Sequence, residues 1–157
     1  MKKLKNWDNN NWLSSYKYIL SLTHFLRKKI NFTKKINILD VGCGRGKIIF
    51  TLSKKYQMTN LPLGIDIVEH KDVKKKIRFI KINALKYLNE TKEKFDIILF
   101  KQSIHFFKFE EIKKILKFSK RNLTHKGRIV ILALHPKKNY WPLFKVFELK
   151  LLKSLEK

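Results

Sequence analysis

Cysteine, glycine, proline and acidic residues are all scarce in this sequence, and so are long apolar runs. Its single cysteine, Cys43, excludes an internal disulfide framework and a zinc site built from several cysteines. No apolar run approaches the length that a membrane-spanning helix needs. The first dozen residues are polar and lack the apolar stretch of a secretory signal, so we expect a cytoplasmic protein.

Acidic residues number 12 against 37 lysines and arginines, which gives a formal net charge of +25. A field of this size attracts anionic partners such as nucleic acid. Lysine greatly outnumbers arginine, however, and it is spread over nearly every segment, whereas surfaces that bind phosphate usually favour clustered arginine. We therefore interpret the charge as that of a lysine-rich surface, which adsorbs RNA without sequence preference.

The 157 residues and their 44% hydrophobic content fit one folded domain. Neither an internal repeat nor a Gly/Ser linker marks a boundary within it. We expect an N-terminal helical segment over residues 1–35, a core over residues 36–134 and a C-terminal helix over residues 135–157.

Three of the five glycines stand at alternate positions in one stretch, between an apolar run that ends at Asp40 and a helical pattern that begins at Ile48. They are Gly42, Gly44 and Gly46. Strand, glycine loop and helix in this order let the backbone approach a ligand at the carboxyl end of a parallel strand. Glycine suits such a loop because the turn adopts positive φ and a Cβ would hold the ligand away.

Several loop types share this outline. A dinucleotide-binding fingerprint needs its third glycine where this chain has Lys47. A Walker loop needs glycine at Val41 and serine or threonine at Ile48. A structural turn without a ligand is a further alternative, although such a turn rarely needs three alternate glycines. The spacing acid-x-Gly-x-Gly-x-Gly instead resembles motif I of the class I S-adenosylmethionine-dependent methyltransferases.

Strand and helix patterns alternate along the rest of the chain. This alternation predicts an α/β fold of the Rossmann-like type, a three-layer structure with five parallel strands flanked by helices. The predicted strands are Ile36–Asp40, Leu61–Ile65, Ile77–Ile82, Phe95–Phe100 and Arg128–Leu134, with Gly127 as a turn before the last. The clearest helices are Lys47–Lys55 and Glu110–Asn122. The resemblance covers roughly residues 36–134.

Further residues in the expected order strengthen the resemblance. Asp66 lies twenty positions after Gly46, the distance at which doubly wound folds place an acid on ribose hydroxyls. The resemblance implies that Asn83 and Ala84 meet the adenine, with the Asn83 amide oxygen accepting from the adenine amino group where aspartate is usual. The segment Gln102 to Phe107 resembles the one that follows strand four in small-molecule methyltransferases. The residues predicted to bind S-adenosylmethionine are Asp40, Gly42, Cys43, Gly44, Gly46, Asp66, Ile67, Asn83, Ala84, Lys101 and Gln102, and no metal site is predicted.

The resemblance implies methyl transfer from S-adenosylmethionine to a small-molecule acceptor. An RNA methyltransferase is an alternative that the charge supports, although the chain lacks the Asn/Asp-Pro-Pro-aromatic signature of base-amine methylation. A cofactor-binding subunit without activity of its own is a third alternative. His105 and His135 follow predicted strands, and His105 is the weak candidate for a catalytic base. For each histidine we favour a position in the wall of the site over a role in proton transfer.

The C-terminal stretch departs from the usual fold, which ends in an antiparallel hairpin of two further strands. Nothing after Pro136 has a strand pattern, and Leu143 to Leu155 shows helical spacing. The fifth strand would then be an exposed edge. We expect the terminal helix to cover it; dimerisation through that edge is the alternative.

Overall fold

The structure is a computed structural model that describes residues 23–27, 30–133 and 145–148. Its sheet contains six strands in the order β3-β2-β1-β4-β5-β6. They are β1 (Ile38–Val41), β2 (Leu63–Asp66), β3 (Arg78–Lys81), β4 (Phe95–Lys101), β5 (Leu123–Ala133) and β6 (Lys145–Glu148). Strands β1 to β5 are parallel, as predicted. The chain order reverses between β1 and β4, which is where ligands bind in open α/β sheets.

Three helices connect the parallel strands: α1 (Lys47–Lys55), α2 (Ala84–Glu90) and α3 (Phe109–Arg121). Residues 23–27 are also helical, and short 3₁₀ turns occur at Val73–Lys75 and Ile104–Phe106. Helix α3 carries glutamates in its first turn and Lys120 and Arg121 in its last, which complements the helix dipole. No helix within the described part of the chain is long and apolar enough to cross a membrane.

The core has two halves because successive residues of a strand point to opposite faces of the sheet. Ile38 and Leu99 pack on one face with the buried side of α1. Leu39 and Ile98 pack on the other face with residues of α2 and α3. A sheet covered on both faces explains why β4 reads as an almost continuous apolar run.

The predicted C-terminal helix is wrong at residues 145–148, which form β6. This strand pairs antiparallel with β5, from Val130 opposite Glu148 to Ala133 opposite Lys145. Pairing satisfies backbone groups of β5 that an open edge would leave unpaired. The stabilisation from this pairing outweighs the helical preference that the residue spacing gives to so short a stretch. The edge of β5 that a dimer would need is therefore occupied at these residues. The rest of the predicted helix lies outside the described residues.

Strand β5 begins five residues earlier than predicted, and Gly127 lies inside it rather than in a turn before it. The pairing between β4 and β5 shifts register between Phe95 and Ile97. A Cβ on Gly127 would lie 2.7 Å from the Phe95 carbonyl oxygen, so this close approach requires glycine. Asp96 stabilises the same end of the sheet, since its carboxylate accepts from the Asn37 amide at 2.9 Å and from the Thr124 hydroxyl at 2.7 Å.

Candidate functional site

A cavity of about 400 Å³ lies at the carboxyl ends of the central strands, beside the point where the strand order reverses. Its walls come from the glycine loop, the segment after β2, the corner at residues 82–84 and the segment after β4. One residue of α3, Glu111, completes the lining. A cavity of this size can hold a small organic ligand.

The fold brings ten of the eleven predicted cofactor-binding residues into this lining. They are Asp40, Gly42, Cys43, Gly44, Asp66, Ile67, Asn83, Ala84, Lys101 and Gln102. Gly46 is the exception, since a Cβ there would meet the Ile77 side chain at 2.6 Å instead of open space. Gly46 therefore serves the packing of the loop against the core.

Of the two histidine candidates for a base, the structure describes His105, which it does not place in the cavity lining. His105 is exposed and outside the lining, and its ring lies 4.2 Å from the ring of Phe106. Partial burial lowers the pKa of His105. His135 lies outside the described residues.

Gly44 gives the loop its open face. Its φ is +54°, and a Cβ built there would meet nothing within 4 Å, so the backbone borders empty space. The Gly44 amide donates to Oδ2 of Asp66 at 2.9 Å. This hydrogen bond ties the glycine loop to the end of β2.

Asp66 uses both carboxylate oxygens on the backbone. Besides the bond from Gly44, its Oδ1 accepts from the Val68 amide at 3.0 Å. A carboxylate has about four acceptor positions, so two remain for a ligand in the cavity. Asp66 can therefore brace the loop and accept from ligand hydroxyls at the same time.

Asp40 places a carboxylate in an apolar interior at the end of β1. Its side chain is 1% exposed, and no atom of the described residues forms a hydrogen bond with Oδ1. Burial raises the pKa of Asp40 to about 7; the positive charge of Lys101 opposes this shift, and the negative charge of Asp66 adds to it. Burial and the same two carboxylates also raise the pKa of the Cys43 thiol, which keeps it protonated.

Gln102 presents the complementary group at the end of β4. Its side chain is 3% exposed, and Nε2 is buried without a hydrogen-bond partner among the described residues. The backbone of Gln102 has a φ of +55°, an uncommon conformation for a residue with a Cβ. Its backbone N–H donates to the Leu132 carbonyl at 2.8 Å. A buried donor and a buried acceptor without partners both cost free energy, and both line the same cavity. A ligand that pairs with them would offset that cost.

The Asn83 side chain caps a helix in addition to lining the cavity. Its Oδ1 accepts from the amides of Leu85 and Lys86, at 2.8 and 3.3 Å, so it caps the N-terminus of α2. The oxygen expected to meet an adenine amino group is thus already used. The Asn83 Nδ2 group is a donor that can still contact a ligand.

The lining also contains residues that the sequence analysis did not name as cofactor-binding, although three of them belong to the segment Gln102 to Phe107. They include His70, Ser103, Phe106, Phe107 and Glu111. The Ser103 hydroxyl donates to the Val41 carbonyl at 2.6 Å, which fixes the segment after β4 to the end of β1. Glu111 comes from a separate helix, so the three-dimensional fold was needed to place it.

A family model described as a methyltransferase domain matches residues 32–141 of the chain. No curated protein matches it. One solved structure it resembles is a plantazolicin methyltransferase, BpumL, in complex with a monoazolic desmethylPZN analogue and SAH, at 25% identity and a TM-score of 0.66, with 85% of this chain and 52% of that chain covered.

Two further structures share the fold. One is an S-adenosylmethionine-dependent methyltransferase from Archaeoglobus fulgidus, at 24% identity and a TM-score of 0.61, with 76% of this chain and 55% of that chain covered. The other is magnesium protoporphyrin IX methyltransferase from Synechocystis PCC 6803 with bound SAM, at 17% identity and a TM-score of 0.59, with 79% of this chain and 60% of that chain covered. The chain spans little more than half the length of these structures.

Proposed function

The chain belongs to the methyltransferase-domain family of S-adenosylmethionine-dependent enzymes, and we propose that it transfers a methyl group to a small-molecule acceptor. The observation that carries this proposal is the open space in front of Gly44, which lies in one cavity with the unpartnered Asp40 Oδ1 and Gln102 Nε2. An apolar ligand would leave both buried polar atoms unpaired. A ligand with its own donors and acceptors would satisfy them.

The residues of the cavity fit S-adenosylmethionine. Asp40 would accept from the ammonium of its amino-acid end, and Gln102 would donate to the carboxylate beside it. Asp66 has two acceptor positions for the ribose hydroxyls. At the corner formed by residues 82–84, Asn83 Nδ2 can donate to an adenine ring nitrogen. The backbone N–H of Ala84, in the first turn of α2, follows Asn83 directly and is a second donor there.

The cofactor, when bound, supplies an electrophilic methyl group on a sulfonium. The contribution of the chain is binding, orientation and exclusion of water. Hydrogen bonds from Gly44 and Ser103 hold the loop and the segment after β4 in fixed positions. Phe106 and Phe107 give that side of the cavity an apolar wall.

A small-molecule acceptor is favoured over RNA on two grounds. The segment Gln102 to Phe107 resembles that of small-molecule methyltransferases, and four of its residues line the cavity: Gln102, Ser103, Phe106 and Phe107. Two of the similar structures are also, by their names, methyltransferases of plantazolicin and of magnesium protoporphyrin IX. The net charge of +25 supports the RNA alternative, but dispersed lysines carry no sequence information.

A transfer assay with methyl-labelled S-adenosylmethionine tests the proposal. Purified protein is incubated with a small-molecule extract and, separately, with total RNA; Asp66→Ala serves as the site variant. We expect label in the small-molecule fraction, and less of it with the variant. Label in RNA would establish the RNA alternative. Cofactor binding without transfer to either fraction would favour an inactive cofactor-binding subunit.

A further inference from the structure

Two exposed phenylalanines lie close together in sequence: Phe106 ends the 3₁₀ turn after β4, and Phe109 is the first residue of α3. Phe106 is 55% exposed and lines the cavity. Phe109 is 70% exposed, lies outside the lining, and has the Lys113 ammonium 4.6 Å from its ring centre. Exposing a large aromatic ring costs free energy that contact with a ligand would recover. Because Phe106 contributes to the cavity while remaining exposed, its ring offers an apolar surface to a ligand there.

Glu111 places a carboxylate in the same lining. Its Oε2 accepts from the Lys108 amide at 2.8 Å, which anchors the side chain at the start of α3. The neighbouring Glu110 instead pairs with Lys113 at 3.0 Å and is not a lining residue. One oxygen of Glu111 is thus tied to the backbone, and the carboxylate retains acceptor positions for a ligand.

We propose that the methyl acceptor is a flat aromatic ring with an attached amine, which stacks on Phe106 and donates from its nitrogen to Glu111. This inference rests on the proposed function and names its acceptor class. An aromatic ring matches the Phe106 surface by stacking, and an amine N–H matches the carboxylate. In transfer to the nitrogen, the lone pair of the neutral amine would form the new C–N bond, the sulfonium–methyl bond would break to leave SAH, and the displaced amine proton would pass to water.

The Glu111 carboxylate favours a hydrogen-bond donor over an anion at its own position in the lining. The lining cations Arg45, Lys47 and Lys101 belong to the glycine loop, to α1 and to the end of β4, whereas Glu111 belongs to α3. The net charge of the chain repels cations at long range, but salt screens exposed charges beyond about 8 Å under physiological conditions. A ligand group that touches the Glu111 carboxylate therefore meets a negative charge, which favours an amine over a phosphate at that position.

Three probes separate the contribution of the aromatic ring to binding from that of the positive charge. They are tryptamine, cyclohexylethylamine and indole-3-acetate. The second keeps the amine without the flat ring, and the third keeps the ring with a carboxylate. Binding is measured by ligand-observed NMR with and without saturating SAH, after calorimetry has established whether SAH binds. We expect tryptamine to bind about tenfold more tightly than either other probe. Saturating SAH should not displace tryptamine, because the two ligands would occupy different parts of the cavity.

Matched variants locate the binding site. Phe106→Ala should reduce tryptamine binding to the level of cyclohexylethylamine, Phe106→Tyr should restore it, and Phe109→Ala should leave it unchanged. Glu111→Gln should abolish the preference for tryptamine over indole-3-acetate. Glutamine still accepts from the Lys108 amide, so α3 is preserved. Glu110→Gln, which changes the charge by the same amount, should keep the preference.

Specific outcomes would overturn the inference. These are equal binding of the three probes, equal effects of Phe106→Ala and Phe109→Ala, displacement of tryptamine by SAH, and displacement of tryptamine by a short single-stranded RNA whose own binding depends on Phe106. Absence of SAH binding would count against the proposed function instead. The titrations without SAH would then still test the amine site.

Discussion

At the scale of single residues, the burial of the Asp40 carboxylate makes the stability of the fold depend on pH. The pKa of Asp40 rises from 3.8 to about 7 because burial disfavours the charged form. Between these values the folded protein holds a proton that the unfolded chain has released. The contribution of Asp40 to stability therefore falls as pH rises from about 4 to 7.

Asp40→Asn should remove this penalty, since asparagine carries no charge at any pH. We expect the variant to have a higher melting temperature than the parent protein at pH 8 and a nearly equal one at pH 4. Thermal unfolding at the two pH values measures the difference. As a control, Asp96→Asn should lower the melting temperature at both values, because Asp96 accepts two hydrogen bonds that hold the sheet together. A pH-independent effect of Asp40→Asn would contradict the account.

Asp66 should contribute to cofactor affinity directly and through the loop that it braces. Asp66→Ala removes acceptors for the ribose hydroxyls and for the Gly44 amide. Calorimetry with SAH should show a loss of roughly 1.5–3 kcal/mol in binding free energy, the range for hydrogen bonds to charged groups. The control is Glu69→Ala in the same segment, where the carboxylate pairs with Lys74 outside the lining. Equal affinity of parent and Asp66→Ala would remove Asp66 from the site.

How much of the site can be predicted from sequence also differs by residue. The spacing of glycine loop and acid predicts Gly44 and Asp66, because backbone approach and hydroxyl binding need those residue types there. The capping role of Asn83 depends on where α2 begins, which a residue pattern gives too coarsely. Glu111 reaches the cavity from a helix almost seventy positions after Gly44, and no local pattern contains that contact.

At the scale of elements, the parallel strands were predictable and the sixth strand was not. Strands buried on both faces require apolar runs, and the residues of β1 and β4 have them. The four residues Lys-Val-Phe-Glu of β6 are too short to distinguish a helical from an alternating period. Their strand conformation comes from pairing with β5, a contact between distant parts of the chain.

Deletion of residues 143–157 should destabilise the protein, because it removes β6 and exposes the edge of β5. Each backbone hydrogen bond lost contributes about 0.5–1.5 kcal/mol, so we expect a lower melting temperature and aggregation at the open edge. Deletion of residues 149–157 alone leaves β6 in place and serves as the control. If the longer deletion melted at the temperature of the control, β6 would not protect the edge.

At the scale of the whole molecule, the excess of positive charge should appear as salt-dependent adsorption of RNA. Neutralising phosphates releases counterions, so affinity should fall steeply as salt increases, without preference for a sequence. Filter binding with two unrelated RNAs at several salt concentrations should give equal affinities at each one. One RNA held far more tightly than a scrambled control at physiological salt would support a specific RNA substrate.

The central claim, that the cavity beside the glycine loop binds S-adenosylmethionine, is tested most directly by calorimetry with SAH. We predict saturable binding by the parent protein and none by Gly44→Val, because the new side chain would fill the space in front of the loop. Gly46→Ala controls for backbone strain, since its φ is also positive while its Cβ would meet Ile77 in the core; it should lower the melting temperature yet retain binding when folded. No heat from the parent protein at millimolar SAH would contradict the claim.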